Sequence, residues 1–242
     1  RVRGGWPALA HAAAEISTPL LQNMGTVGGN LLLDTRCNYY DQGFEWRKAI
    51  NFCMKKDGDT CWVAPSSPRC WAVQSSDLAP VMVALDARVV LAGPDGERTI
   101  QVAALYHDDG MAFLTKRPEE LLVRIEVPSL AGARASYRKL RRRGAFDFPV
   151  LGVAAWAAFD GEGKVVAARI VLGAVGSHPK LVEDAAAALV GETLEDDQLE
   201  EAARLASKLA KPLDNTDFTI GWRKDMAPVF VRRALEGLRS VG

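Results

Sequence analysis

Leu151–Gly173, LGVAAWAAFDGEGKVVAARIVLG, is two apolar runs, Leu151–Phe159 and Lys164–Gly173, separated by Asp160-Gly161-Glu162-Gly163. Apolar runs bounded by acid and glycine residues read as strands, and the short break between them makes a hairpin. Ser136–Arg142 reads as a third strand before them. Helical patterns follow at Lys180–Val190, Leu194–Ala210 and Lys224–Leu238. Strands first and helices afterwards predict an α+β domain of antiparallel strands and helices over residues 134–242.

Working toward the N-terminus, Pro128–Ala133 (PSLAGA) has linker composition and sets a boundary, leaving residues 1–128 as a separate unit. Within it, Arg88–Leu91 and Arg98–Val102 read as a hairpin around Gly93-Pro94-Asp95-Gly96, and Leu121–Val127 as a strand ended by Pro128. Asp77–Leu85 reads as a short helix opened by Asp77. Trp6, Leu9, Ala10, Ala13 and Ile16 recur at helical spacing until Pro19 stops them. Gln22–Asn30 (QNMGTVGGN) packs three glycines into nine residues, which permits tight turns and close backbone approach to a ligand. Residues 34–76 have no sustained period. They hold all four cysteines, Pro65, Pro68 and three tryptophans, as expected of an irregular inserted segment.

The chain has 242 residues, 48% hydrophobic and 25% charged, with thirty basic residues against thirty acidic ones. This is globular composition without the basic footprint of a nucleic-acid binder. No apolar run reaches the roughly 18–20 residues of a membrane-spanning helix, and no secretory leader pattern opens the chain. The expectation is a cytoplasmic protein that binds neither nucleic acid nor membrane. Because the chain starts at Arg1 and enters a helical pattern almost at once, upstream sequence is expected to be missing.

Cys37, Cys53, Cys61 and Cys70 are separated by fifteen, seven and eight residues. Four thiolates on an irregular loop can wrap one 4Fe-4S cubane. Disulfides fit poorly without a secretory signal, and structural zinc usually uses close cysteine pairs, which are absent here. Unligated buried thiols are a further alternative, so spacing alone leaves the four possibilities open. His11, His107 and His178 read as surface or packing residues outside any acid-base constellation.

Asn23–Asn30 (NMGTVGGN) followed by Ser76–Val89 (SDLAPVMVALDARV) resembles the flavoprotein subunits of the xanthine dehydrogenase and carbon monoxide dehydrogenase family. The four-cysteine segment between these motifs, with DTRC at Asp34, FCMKKDG at Phe52 and FDFPVLGVA at Phe146, is similar to the middle subunit of 4-hydroxybenzoyl-CoA reductases. The resemblance implies the second half of an FAD-binding domain carrying an iron-sulfur loop, then a smaller C-terminal domain. It implies FAD contacts at Thr26, Gly28, Gly29 and Asn30, where backbone N–H groups can hold phosphate or flavin oxygens. Asp77 falls on the family's acidic position for cofactor hydroxyls, Leu122 on a position beside the flavin, and Lys139 on its cationic neighbour, with Arg138 next in line. Arg141–Arg143 read as a solvated or subunit-contacting edge. The four cysteines become 4Fe-4S ligands. A glycine turn that the family places before Trp6 is absent, so weak FAD affinity is expected of this stretch alone.

The implied function is an electron-transfer subunit in a complex with a molybdopterin subunit and a 2Fe-2S subunit. It would relay electrons from a ferredoxin-like donor through the cluster and FAD for reductive dehydroxylation of 4-hydroxybenzoyl-CoA or a related aromatic acyl-CoA. An oxidative xanthine dehydrogenase-like flavin subunit, or a non-redox zinc-stabilised interaction module, are the alternatives. No catalytic residue is expected on this chain.

Overall fold

Residues 2–239 are described by the computed structural model; Arg1 and residues 240–242, at the outer ends of the two expected units, lie outside them. Helices α1 (Val2–Gly5), α2 (Pro7–Ala14), α3 (Pro19–Gln22), α4 (Val27–Leu31), α5 (Phe44–Ala49) and α6 (Leu78–Ala84) precede strands β1 (Arg88–Gly93), β2 (Gly96–Gln101) and β3 (Leu121–Glu126). Strands β4 (Arg134–Leu140), β5 (Leu151–Phe159), β6 (Val165–Gly173) and β7 (Lys180–Leu181) follow, then α7 (Glu183–Ala187), α8 (Asp196–Ser207) and α9 (Ile220–Arg239). The α+β class is as expected, in two antiparallel sheets ordered β2-β1-β3 and β4-β5-β6-β7.

The apolar runs of β5 and β6 do not alternate because both faces of their sheet are covered. Val153, Ala155 and Ala157 point into a core shared with Leu199, Val231 and Leu235 of α8 and α9. Ala154 and Val171 point the other way, into a core with Leu78 and Met82 of α6. With side chains alternating along a strand, the middle sheet serves both cores at once. Gly173 lies so close to α6 that a methyl group there would meet Pro80 Cγ at 3.0 Å.

Three local expectations are corrected. Pro19 does not stop the first helix: α2 ends at Ala14, and Pro19 opens α3, where its missing N–H costs nothing. Lys180 and Leu181 are not helical but pair with Leu172 and Val171 at the sheet edge, so the helix begins only at Glu183. Asp77 does not cap α6. Its backbone is already helical (φ −71°, ψ −35°) and its side chain makes no capping bond, while Ser76 Oγ accepts the Ala79 N–H at 2.9 Å and takes that role.

Candidate functional site

The glycine segment folds as a turn running into α4. Thr26 is its N-cap, Oγ1 accepting the Gly29 N–H at 2.9 Å. Thr26 and Gly29 are exposed and Gly28 is half-buried. A methyl group on Gly28 would lie 3.5 Å from Leu122 Cδ2, which places Leu122 of β3 beside the segment. Asn30 turns the other way. Its Oδ1 accepts from Ser76 Oγ at 2.7 Å and from the Leu78 N–H at 3.1 Å, fastening the segment to the start of α6. Thr26, Gly28, Gly29 and Leu122 therefore form one surface, and Asn30 holds it in place.

Asp77 and Lys139 meet behind α6. Lys139 Nζ is 3.0 Å from Asp77 Oδ2, with side chains 1% and 4% exposed respectively. Tyr137 donates its hydroxyl to Asp77 Oδ1 at 2.8 Å, and Lys139 also donates to the Glu15 carbonyl at 2.9 Å. Burial pushes the Asp77 carboxyl up, against the pull of Lys139 and Tyr137. Burial pushes Lys139 down, against Asp77. Tyr137 is held well above the usual phenol range by burial first and by Asp77 next.

Strand alternation explains why Lys139 rather than Arg138 is in this group. Tyr137 and Lys139 share the face toward α6, whereas Arg138 faces α9, its Nη2 lying 3.3 Å from where a methyl on Gly237 would stand. Arg141 continues the first face and pairs with Glu15 at 2.7 Å, so it departs from the solvated edge expected of it; Arg142 and Arg143 are exposed and pair with Asp217 and Asp147. Tyr137, Glu15 and Ser76 were not read from the sequence as site residues. The spacing of Tyr137 and Lys139, two apart on a strand, was the available signal.

The four cysteines come together. Each is at most 6% exposed, none is in a disulfide, and all four line one cavity with Tyr40, Lys55 and other residues. The neck of the segment is closed by paired backbone bonds between Arg36 and Val73 at 2.8 and 2.7 Å. Cys37, Cys53 and Cys61 each open a turn, their carbonyls accepting from Tyr40 and Asp41, from Lys56 and Gly58, and from Ala64, whereas the Cys70 carbonyl accepts the N–H of the distant Gly110. Asn51 and Phe52, at φ 60° and 59°, carry left-handed backbone immediately before Cys53. Such strain in non-glycine residues clusters where a loop must present side chains to a site. The Asn38 N–H donates to the Asn215 carbonyl, the Asn215 amide donates to the Trp71 carbonyl and the Ser177 hydroxyl to the Ala72 carbonyl, docking the segment on the C-terminal half.

Burial pushes the Cys37 thiol up to about 11. The side-chain bond between Cys61 and Cys70 pulls the Cys61 thiol down, and the same bond together with burial pushes the Cys70 thiol up. The Ala72 N–H points at Cys70 Sγ at 3.4 Å. Among the described residues, no three or more His, Cys, Asp or Glu side chains gather as a site for a metal ion. The four thiols line one small cavity.

A family model for the FAD binding domain in molybdopterin dehydrogenase matches residues 1–130, and one for the CO dehydrogenase flavoprotein C-terminal domain matches residues 135–238. The chain is therefore of the FAD-binding flavoprotein class, and it belongs to the flavoprotein family of molybdopterin dehydrogenases. It is 34% identical over 198 residues to the aldehyde oxidoreductase FAD-binding subunit PaoB of Escherichia coli, covering 78% of this chain and 61% of that protein. It is 29% identical to the carbon monoxide dehydrogenase medium chain of Afipia carboxidovorans, covering 97% of this chain and 67% of that one. The solved structure of a Cu,Mo-CO dehydrogenase in its cyanide-inactivated form superposes with a TM-score of 0.76 at 26% identity, over 98% of this chain and 69% of that chain. The chain thus spans about two thirds of the length of these relatives.

Proposed function

We propose that this chain is the FAD-binding and iron-sulfur part of the electron-transfer subunit of a cytoplasmic molybdenum enzyme, with a molybdopterin subunit and a 2Fe-2S subunit as partners. The observation that carries the reading is the cavity lined by Cys37, Cys53, Cys61 and Cys70, four buried free thiols. A 4Fe-4S cluster is the group whose ligand demand fits them. FAD, when bound, supplies two-electron storage, and the cluster supplies single-electron exchange with a ferredoxin-like donor.

The chain's own residues bind and orient. Thr26 and Gly28 offer backbone N–H groups, Gly29 closes the cap on Thr26, Leu122 gives an apolar wall, and Asn30 the fastening to α6. The Asp77–Lys139 pair is buried with its charges already compensating each other, and its assignment to the family's acidic and cationic positions beside the cofactor rests on the resemblance. The finer reading is reductive dehydroxylation of 4-hydroxybenzoyl-CoA, supported by the resemblance of the cysteine segment. A second reading is an oxidative dehydrogenase, favoured by the names of the aldehyde oxidoreductase and carbon monoxide dehydrogenase relatives.

Anaerobic purification with iron, sulfide, zinc and flavin analysis tests the cofactor set; about four iron and four sulfide per chain are expected. Zinc without sulfide refutes it. Offering the assembled complex either an aldehyde with an electron acceptor, or 4-hydroxybenzoyl-CoA with a low-potential donor, separates the two directions.

A further inference from the structure

Among the described residues, Lys55 is the one charged side chain lining the cysteine cavity. Its side chain is 6% exposed, and its ammonium donates to Asp34 Oδ1 at 2.8 Å, to Thr35 Oγ1 at 2.7 Å and to the Gly110 carbonyl at 2.8 Å. Those three acceptors match its three donors. The rings of Tyr40 and Phe113 lie 4.9 and 5.6 Å from Nζ. Burying an ammonium beside four thiols, when a leucine or methionine could fill the space, needs a reason, since buried charge is costly unless something offsets it.

The contacts of Lys55 supply one half of the reason. It stands two residues after Cys53, Thr35 stands two residues before Cys37, and Gly110 donates its N–H to the Cys70 carbonyl. A single ammonium therefore ties together backbone segments adjoining three of the four cysteines. Charge supplies the other half. The carboxylate of Asp34 is 54% exposed, so water screens the negative partner while the positive one stays inside the protein. The cavity wall is left with a net positive bias.

We propose that Lys55 is a positioning residue that raises the reduction potential of the group held by the four cysteines, by stabilising its more negative, reduced state. The inference rests on the cysteines holding a 4Fe-4S cluster. Such a cluster with four thiolate ligands is anionic, and one added electron makes it more so, with no bond made or broken. A fixed cation at the wall favours the reduced form and relieves repulsion among the thiolates. Asp34 acts in the opposite sense, as a screened counter-charge that sets how much of the Lys55 charge the cavity feels.

The test uses the complete subunit in its complex, prepared anaerobically as wild type, Lys55→Met, Lys55→Arg and Asp34→Asn. Iron and sulfide are counted, and the cluster's midpoint potential is measured by redox titration followed by electron paramagnetic resonance. Lys55→Met should lower the midpoint, Asp34→Asn should raise it, and Lys55→Arg should stay near wild type. Opposite shifts from removing the cation and removing its counter-ion are something a purely structural role would not give. A Lys55→Met protein that keeps its cluster at the wild-type midpoint overturns the proposal, as does an Asp34→Asn midpoint that is unchanged or lowered. If Lys55→Met fails to load, the Asp34→Asn midpoint decides alone. Wild-type protein without iron and sulfide overturns the cluster reading itself, a result distinct from loaded variants with unmoved potentials.

Discussion

Lys139→Met removes the cation from a pair that the fold has closed off from water. Asp77 would keep the Tyr137 hydroxyl at 2.8 Å but lose its ion partner at 3.0 Å. Deleting one member of a buried pair costs about 3–5 kcal/mol, and the surviving hydrogen bond places this case near the lower end. With a urea slope of about 3 kcal/mol per molar, the unfolding midpoint should fall by about 1 M at pH 7. The pH dependence has a definite sign. Burial already raises the Asp77 carboxyl in the folded protein, so this group takes up a proton on folding, and its contribution is greatest at low pH and lost as pH rises through the folded value. Without Lys139 the carboxyl moves higher still, so the deficit of the variant should shrink as pH falls from 7 to 5. The double variant Asp77→Asn with Lys139→Met should recover much of the loss, because no charge remains buried. A midpoint at pH 7 within about 0.3 M of wild type, on the same urea slope, would refute the argument. So would a deficit independent of pH, or a double variant no better than the single one.

Gly110→Ala would place a methyl 2.6 Å from Ala72 N and 2.9 Å from its Cα, where backbone cannot yield as a side-chain tip can. A loss of roughly 1–3 kcal/mol and faster limited proteolysis between Cys37 and Cys70 are expected, and an unchanged cleavage rate contradicts the docking. Asn30→Ala removes the acceptor of Ser76 Oγ and the Leu78 N–H, so stability should drop by about 1–3 kcal/mol and FAD titration of the complete subunit should show weaker binding. Unaltered affinity would mean that the glycine segment needs no fastening to α6. Cys61→Ser should lose or convert the cluster while the C-terminal core around Leu199, Val231 and Leu235 stays folded, as read by iron content and circular dichroism. Full iron with an unchanged spectrum would exclude Cys61 as a ligand.

The hairpin at Leu151–Gly173, the α+β class and the glycine segment were legible in the sequence, because apolar period, turn residues and motif words are local properties, whereas the contact of that segment with Leu122 is tertiary. The cysteines could be grouped as one segment by their neighbourhood, but their spacing left cluster, zinc, disulfide and free thiol open. Only the folded chain shows them free and gathered around one cavity. The same holds for Asp77. Its position before an apolar helix reads locally as a cap, yet its carboxylate turns to Lys139 and Tyr137, residues sixty or so positions away, and Ser76 caps instead. Nor does local pattern reveal that β5 is covered on both faces, or that a lysine between two cysteines lines their cavity. Long-range burial decides those matters, because the direction a polar side chain takes depends on which distant partner can compensate it once water is excluded.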